Sequence, residues 1–382
     1  MKKYLMTSAA VALCGSAVFA GGIDRSGQPI GIIFEETGAS GSYLQLSFGS
    51  IDPTAGDTTT NVSDPLNSYT QLSLGFKKDI SDALSLSFIF DQPFGADVSY
   101  EATDPQAGGF AEIESRAITA LANYKLGNGF SVHGGIRALQ VEGEIFTPSV
   151  VGFTSPLVAA VELRSLTADA DWAIGAVAGV AYERPDIALR VSLTYSSGID
   201  QEFTATEGIQ AINQDVVTGA VTPTALPTSS DDSFTIKFPE SWNLAFQTGV
   251  AADTLVFGSV RYVAWDGFDL TTDGSNNNYV SFTEDTYTYS LGVGRRINDQ
   301  LSLAVSLGYE AAGDRPSTTA LAPTTGVRSI TVGGTYAVSD TMSVRGGVTY
   351  AKPGQQTVPP NDATTFDDNE VIGVGVQLGV KF

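Results

Sequence analysis

The sequence predicts an all-β protein that crosses a membrane as a transmembrane antiparallel β-barrel of about 14 strands. Two observations carry this prediction: the alternation in the last twelve residues, V-I-G-V-G-V-Q-L-G-V-K-F, and the alternation of short and long connections along the chain. Side chains of a strand alternate between its two faces, so residues 371–382 form a strand with one apolar face and one small or polar face. Its length suits a tilted bilayer-spanning strand, and its final aromatic residue, Phe382, is typical of bacterial outer-membrane barrels.

The same two-residue period, bounded by turn residues, recurs along the whole chain. The predicted strands are 43–50, 69–80, 84–100, 113–125, 130–146, 170–184, 187–199, 234–250, 254–266, 281–296, 300–312, 325–338, 341–352 and 369–382. Six short turns separate them from the predicted long loops at 51–68, 101–112, 147–169, 200–233, 267–280, 313–324 and 353–368. Short periplasmic turns and long outer loops are the normal asymmetry of outer-membrane barrels, whereas a β-sandwich gives no reason for it.

Composition supports this class and excludes others. The formal net charge is -22, which argues against nucleic acid as a partner because phosphates would be repelled. Mean hydropathy is +0.06, as expected when only half of each strand faces lipid. The single cysteine, Cys14, excludes a disulfide framework.

Three regions follow from the N-terminal sequence. Lys2 and Lys3 precede an apolar stretch and a small-residue cleavage site at Ala20, which predicts a signal peptide at 1–20. Residues 43–382 form the barrel, and residues 21–42 are a turn-rich segment that we name the hatch. A mobile periplasmic tail would be polar, so apolar hatch residues are expected to plug the lumen and to meet ligand. These residues are Ile23, Ile30, Ile32, Ile33 and Phe34.

An irregularity interrupts the predicted third strand. After a well-alternating run that ends at Phe90, the chain reads Asp91, Gln92, Pro93, Phe94, Gly95 and Ala96. Proline cannot donate to a strand ladder and is confined to edges or bulges, so we expect the strand to bend and the wall to open there. The alternative is that the strand ends at Phe90 and a loop begins.

No constellation for catalysis, for a metal or for a cofactor is found in the sequence. His133 is the only histidine, so neither a nucleophilic triad nor a histidine-based metal site can be assembled. Strand parity predicts that several arginines point into the lumen, where each either pairs with a carboxylate or contacts the carboxylate of a ligand. They are Arg137, Arg190, Arg261, Arg328 and Arg345.

These features together resemble the FadL/TodX/OMPP1 family of outer-membrane transporters over essentially the whole mature chain. Residues 91–96 are similar to that family's third-strand kink, and residues 21–36 to a short form of its hatch. A further resemblance lies in 238–242 followed by 256–266, although the Asn-Pro-Ala triplet of many hatches is missing. The resemblance implies passive uptake of long-chain fatty acids or other hydrophobic molecules, with release sideways into outer-membrane lipid, by a monomer.

Two other functions stay open at this point. A general diffusion porin would have an open polar lumen and measurable conductance. An adhesive or structural barrel would use its loops to bind a partner and would take up no small molecule. The apolar stretch 30–34 favours the plugged transporter over the porin, because a tail outside the barrel would gain nothing from those side chains.

Overall fold

The computed structural model describes residues 23–25, 29–58, 62–106, 108–215, 217–313, 319–359 and 364–382. The predicted signal peptide lies outside these ranges. Two short 3-10 helices are present in the described residues, η1 (Pro29–Phe34) and η2 (Pro185–Ile187). No helix in these ranges is both long and apolar enough to cross a membrane.

The remaining ordered elements are strands. In chain order they are β1 (Ser42–Gly56), β2 (Tyr69–Asp79), β3 (Leu84–Asp91), β4 (Gly95–Ser99), β5 (Phe110–Gly127), β6 (Phe130–Ser155), β7 (Val158–Ala170), β8 (Ala173–Arg184), β9 (Leu189–Ser196), β10 (Ile199–Asp215), β11 (Val221–Pro223), β12 (Thr228–Phe238), β13 (Ser241–Ala251), β14 (Thr254–Val263), β15 (Phe268–Thr271), β16 (Asn278–Phe282), β17 (Thr286–Arg296), β18 (Leu301–Glu310), β19 (Thr325–Ala337), β20 (Met342–Gly354), β21 (Gln356–Val358), β22 (Thr364–Phe366) and β23 (Asp368–Lys381).

The strands close into a barrel. β23 pairs antiparallel with β1, with Leu46 opposite Leu378, and each wall strand pairs antiparallel with the next. Four wall strands are each built of two consecutive pieces, β3–β4, β7–β8, β9–β10 and β12–β13. Counted in this way, the described residues form fourteen wall strands, which confirms the predicted number and closure. Closure matters because backbone groups facing hydrocarbon must find their partners within the protein.

The two faces of the wall differ as the alternation predicts. Leu72 and Leu74 of β2 and Ile118 of β5 are more than two-fifths exposed on the outer face. Small and polar side chains such as Thr119 and Thr331 are buried on the inner face. Exposed apolar residues that continue around the wall therefore form the surface that meets lipid.

Two of the predicted long loops are wrong in part. Most of 147–169 belongs to β6 and β7, and most of 200–233 to β10, β11 and β12, so these strands continue past the membrane as a sheet. The register runs without interruption along β7 and β10 to Asp215, opposite Val158. A sheet beyond the bilayer needs no continuous lipid-facing apolar row. The lipid-facing apolar row that identifies a membrane strand is therefore absent there, although the ladder and the inward–outward alternation continue.

Candidate functional site

The N-terminal segment lies against the inner wall of the barrel. Ile32 and Ile33 of η1 are 2% and 1% exposed. They belong to an apolar cluster with residues that face inward from four different wall strands, namely Tyr43, Ile89, Leu121 and Val177. Burial of the two isoleucines favours this position, at roughly 1.5–3 kcal/mol for each fully buried side chain.

Ion pairs fasten the N-terminal segment to two further wall strands. The Arg345 Nη2 of β20 donates to Glu35 Oε1 at 2.8 Å. Arg261 of β14 donates through both Nε and Nη2 to Asp24 Oδ2, at 3.0 and 2.6 Å. All four side chains are at least nine-tenths buried, so losing either partner would leave a charge without compensation.

The predicted irregularity at 91–96 is a break between β3 and β4. β2 pairs with β3 only from Asp79 to Leu74, opposite Phe90, and β4 pairs with β5. Within the described residues, Tyr69–Ser73 of β2 therefore lacks a ladder with the third wall strand, and we name this place the seam. Ser115 of β5 holds the break in place, because its hydroxyl accepts from the Phe94 N–H at 2.7 Å and donates to the Phe94 carbonyl at 2.6 Å.

Residues 23–25, which we name the arm, occupy the seam. The Arg25 N–H donates to the Pro93 carbonyl at 2.7 Å, and the Gly95 N–H donates to the Ile23 carbonyl at 2.9 Å. On the other side, the Gln71 side-chain amide donates to the Arg25 carbonyl at 2.7 Å. The arm thus replaces hydrogen bonds that a regular strand would have made across the break.

The side chain of Arg25 fills the space between the two edges of the seam. Its guanidinium carbon lies 3.6 Å from the centre of the Tyr69 ring, a cation–π contact. A Cβ added to Gly95 would lie 2.7 Å from Arg25 Nη1, so Arg25 can take this position only because residue 95 has no side chain.

Above the seam, an aromatic cluster lines an apolar cavity of about 50 Å³. Phe203 and Phe234 stack with ring centres 4.9 Å apart, and Phe268 lies against Phe238 at 6.0 Å. Ile23 of the arm and Val280 of β16 complete the lining.

The apolar cavity is the first of three neighbouring cavities that lie between this cluster and the seam. A middle cavity of about 130 Å³ shares Ile23, Ile113 and Val280 with the apolar cavity. A seam cavity of about 330 Å³ shares Arg25, Tyr69 and Ala96 with the middle one. The cavities thus follow one another from the aromatic cluster to the wall, and Arg25 and Tyr69 stand at the last boundary.

The hatch residues predicted to meet ligand separate into two groups. Ile23 lines the apolar cavity, whereas Ile32 and Ile33 belong to the inner-wall cluster, with Ile30 and Phe34 packed against it. The sequence could not distinguish these groups, because all five are apolar residues in one short segment. Their role in plugging the lumen stays a prediction.

Four of the five predicted arginines lie on the inner face, where acidic or polar groups engage them. Arg261 and Arg345 hold the ion pairs described above, and Arg137 Nη2 lies 3.2 Å from Asp91 Oδ2. Arg190 lies over the Phe34 ring at 4.6 Å and donates to the Gln247 side chain at 3.0 Å.

Arg328 corrects the parity prediction. It is exposed and shares its face of β19 with Ile330 and Val332, which are 42% and 57% exposed, so it points outward. The ladder with β20 is continuous from Val327 to Ala337, so the register shift between Thr325 and Val327 does not affect this face. Alternation with the apolar residues Ile330 and Val332 already places Arg328 on the lipid-facing side, and the prediction assigned it to the wrong face.

Several site residues were not identified from the sequence. In the sequence Arg25 stands in a turn-rich stretch that indicates no role for it, because its position depends on hydrogen bonds to residues far along the chain. The aromatic residues Phe203, Phe234 and Phe268 come from three separate strands. The signal that could have indicated them is that Phe203 and Phe234 occupy inward positions by alternation above the membrane.

The single histidine, His133, has a structural environment. Its Nε2 lies 2.9 Å from Thr194 Oγ1, and its ring meets Phe34 edge-on with centres 6.3 Å apart. Within the described ranges, no group of three or more His, Cys, Asp and Glu side chains is arranged to hold a metal ion.

The fold and the site define a class of protein, the outer-membrane β-barrel that holds an N-terminal segment inside its lumen beside an apolar cavity. The chain belongs to the outer membrane protein transport protein family (OMPP1/FadL/TodX), whose model matches residues 42–381. The family is one of transport proteins.

Comparisons with individual proteins agree with this family assignment. Outer membrane protein P1 of Haemophilus influenzae is 26% identical over 202 residues, which cover 49% of this chain and 40% of that protein. The chain therefore aligns with less than half the length of this curated relative. A Pseudomonas aeruginosa FadL homologue superposes with a TM-score of 0.72 at 14% identity, covering 97% of this chain and 96% of that one. The Pseudomonas putida toluene transporter TodX gives 0.68 at 12% identity, with coverage of 97% and 96%. At these identities the two structures show the fold.

Proposed function

We propose that this protein takes up long-chain fatty acids or other hydrophobic molecules passively and releases them sideways through the seam. The observation that carries the proposal is the row of three cavities that begins among aromatic side chains and ends where β2 and β4 are not paired. The family supports the transport of hydrophobic compounds, and the solved relatives include a protein described as a toluene transporter.

In this proposal the aromatic cluster receives the ligand from the outside. The hairpin β15–β16 contributes Phe268, Leu270 and Val280 to the apolar cavity and is fastened to the barrel by the buried Glu207, whose Oε1 accepts from Tyr279 Oη at 2.7 Å. Apolar surface removed from water supplies the affinity, at roughly 25 cal/mol per Å².

Release requires the arm to move. The arm lies between the cavities and the seam, held by Arg261 and by hydrogen bonds to both edges of the break. When it withdraws, residues 69–73 and 95–97 border an open passage, and a ligand can leave at the level of the outer leaflet. Inner-wall contacts of η1 keep the rest of the segment in place, so withdrawal of the arm need not open the lumen to ions.

A bulky side chain in the passage tests this function. Ala96 lines both the middle and the seam cavities, so Ala96→Trp should block the passage. The matched control is Ala138→Trp on β6, opposite the lipid-facing Ile118. We expect cells that lack their own transporter to take up labelled oleate or a labelled hydrocarbon with the wild type and the control, and not with Ala96→Trp. Equal uptake by all three proteins, each correctly inserted, would refute lateral release at the seam.

A further inference from the structure

The seam is bordered by carboxylates. The seam cavity is lined by Asp97 of β4 and by Glu112 and Glu114 of β5. The register places Asp97 opposite Glu112, and on the next strand it places Glu144 opposite Glu112 and Glu142 opposite Glu114. Residues directly opposite each other point to the same face, so these five side chains form one acidic patch beside the opening.

Cations on this patch are few and already engaged. Arg116 of β5 lies 2.8 Å from Glu142 Oε1 and 3.9 Å from Glu114 Oε2. Arg25 faces Asp97 and Glu114 from within the seam and lies against Tyr69. Two guanidinium groups against five carboxylates leave the mouth of the seam negatively charged.

The route inside the barrel offers no further cation. Among the described residues that line the three cavities, Arg25 is the only basic one, whereas Asp24, Asp97, Glu112, Glu114 and Glu142 are acidic. The inner-wall arginines described above do not line these cavities and are engaged: Arg261 with Asp24, Arg345 with Glu35, Arg137 with Asp91, and Arg190 with the Gln247 side chain and the Phe34 ring. A ligand carboxylate would be desolvated on this route without a free partner.

The height of the seam in the wall also places its opening next to these carboxylates. On the outer face of β5, the exposed apolar residue Ile118 is followed upward by Arg116, Glu114 and Glu112. The break lies at the same height, since Asp91 is opposite Ala117 and Gly95 is opposite Glu114. The seam therefore opens at the upper limit of the lipid-facing band, with the carboxylates directly beside it.

We propose that the acidic mouth makes Asp97, Glu112 and Glu114 specificity-determining residues, and that the seam passes uncharged hydrophobic molecules in preference to ionised carboxylates. This inference rests on the proposed function and narrows its substrate class. A neutral chain leaves without electrostatic cost, whereas an anion of equal length is repelled by the like charges at the mouth.

The test compares laurate with dodecanol, which have the same chain length and differ in charge at about pH 7.5. Initial uptake rates are measured in cells without their own transporter, with the empty-vector rate subtracted. We expect the wild type to favour dodecanol by about tenfold or more, equivalent to about 1.4 kcal/mol. The variant Asp97→Asn/Glu112→Gln/Glu114→Gln should reduce that ratio to about threefold or less. Glu112→Gln/Glu114→Gln, which leaves the hydrogen bond from Asn67 to Asp97 intact, should give an intermediate ratio.

The matched control removes the same number of charges at the other end of the barrel. Asp82, Asp299 and Asp340 are exposed in short turns, so Asp82→Asn/Asp299→Asn/Asp340→Asn has the same net charge as the triple seam variant. Its dodecanol-to-laurate ratio should equal that of the wild type. Equal wild-type rates for the two probes, or a ratio that the seam variants do not change, would overturn the charge selectivity while leaving transport intact. Uptake of neither probe would instead refute the proposed function itself, and this inference with it.

Discussion

The buried pair between Asp24 and Arg261 gives the sharpest prediction about the arm. Asp24 and Arg261 are 2% and 8% exposed, and the carboxylate accepts two hydrogen bonds from one guanidinium. Breaking a buried pair by removing one partner costs about 3–5 kcal/mol. The lower end applies to Asp24→Ala, because Asp91 lies within electrostatic range of Arg261 and compensates part of the charge.

A loss of about 3 kcal/mol changes the ratio of docked to withdrawn arm by more than 100-fold, since about 1.4 kcal/mol is a factor of ten. Two amides report the docked state directly. The Arg25 N–H is bonded to Pro93, and the Gly95 N–H is bonded to Ile23. We therefore expect hydrogen exchange at these amides, measured by mass spectrometry of short peptides, to accelerate by about two orders of magnitude in Asp24→Ala.

The control for this experiment is Glu36→Ala. Glu36 is exposed and bonds only the Lys381 ammonium among its described side-chain contacts, at 2.9 Å, so its loss should leave both amides protected. If Asp24→Ala also left them protected, the arm would not depend on the buried pair, and the reasoning from charge burial would be refuted.

Three more predictions follow from other parts of the site. Ile32→Ala/Ile33→Ala should raise ion conductance in planar bilayers, because each change of a buried isoleucine to alanine reduces the favourable free energy of η1 docking by about 2–5 kcal/mol. Unchanged conductance would show that η1 is not a barrier to ions. Phe268→Ala should weaken binding of a hydrophobic ligand by about tenfold in a titration, whereas Phe130→Ala on the lipid-facing side should not; equal affinities would remove the aromatic cluster from the binding site. Burial, and secondly the hydrogen bond to Glu207, raises the pKa of Tyr279. The docking of β15–β16 is therefore at full strength below the pKa of an unfolded tyrosine, about 10, and is lost as the pH rises further. Proteolysis of this hairpin should increase above that pH in the wild type but not in Tyr279→Phe.

The barrel itself could be predicted from the sequence because lipid on one side imposes a two-residue period. Rows such as Leu301, Leu303 and Val305 identify the strands, and short turns such as 252–253 fix their direction. The same reasoning located the break at 91–96, since proline removes a ladder donor wherever it stands.

The site could be predicted only in part. The position of Arg25 depends on the absence of a side chain at Gly95 and on the ring of Tyr69, which are distant in sequence. The partners of Arg261 and Arg345 come from a segment more than 200 residues away, so no local pattern indicates them. The acidic patch beside the seam depends on the register of β4, β5 and β6, because the same glutamates in another register would be scattered over the wall.

Lateral release through the seam is tested most directly by locating a hydrophobic ligand along its route. A long-chain molecule with a photoreactive group at its end is incubated with the membrane-inserted protein, irradiated, and its adducts are mapped by mass spectrometry. We expect adducts on Phe203 and Phe268 in the cluster, and on Tyr69 and Ala96 at the seam. Adducts on Thr331 and Thr349, buried together on the inner face of β19 and β20, without any at the seam, would place the route down the lumen and contradict lateral release.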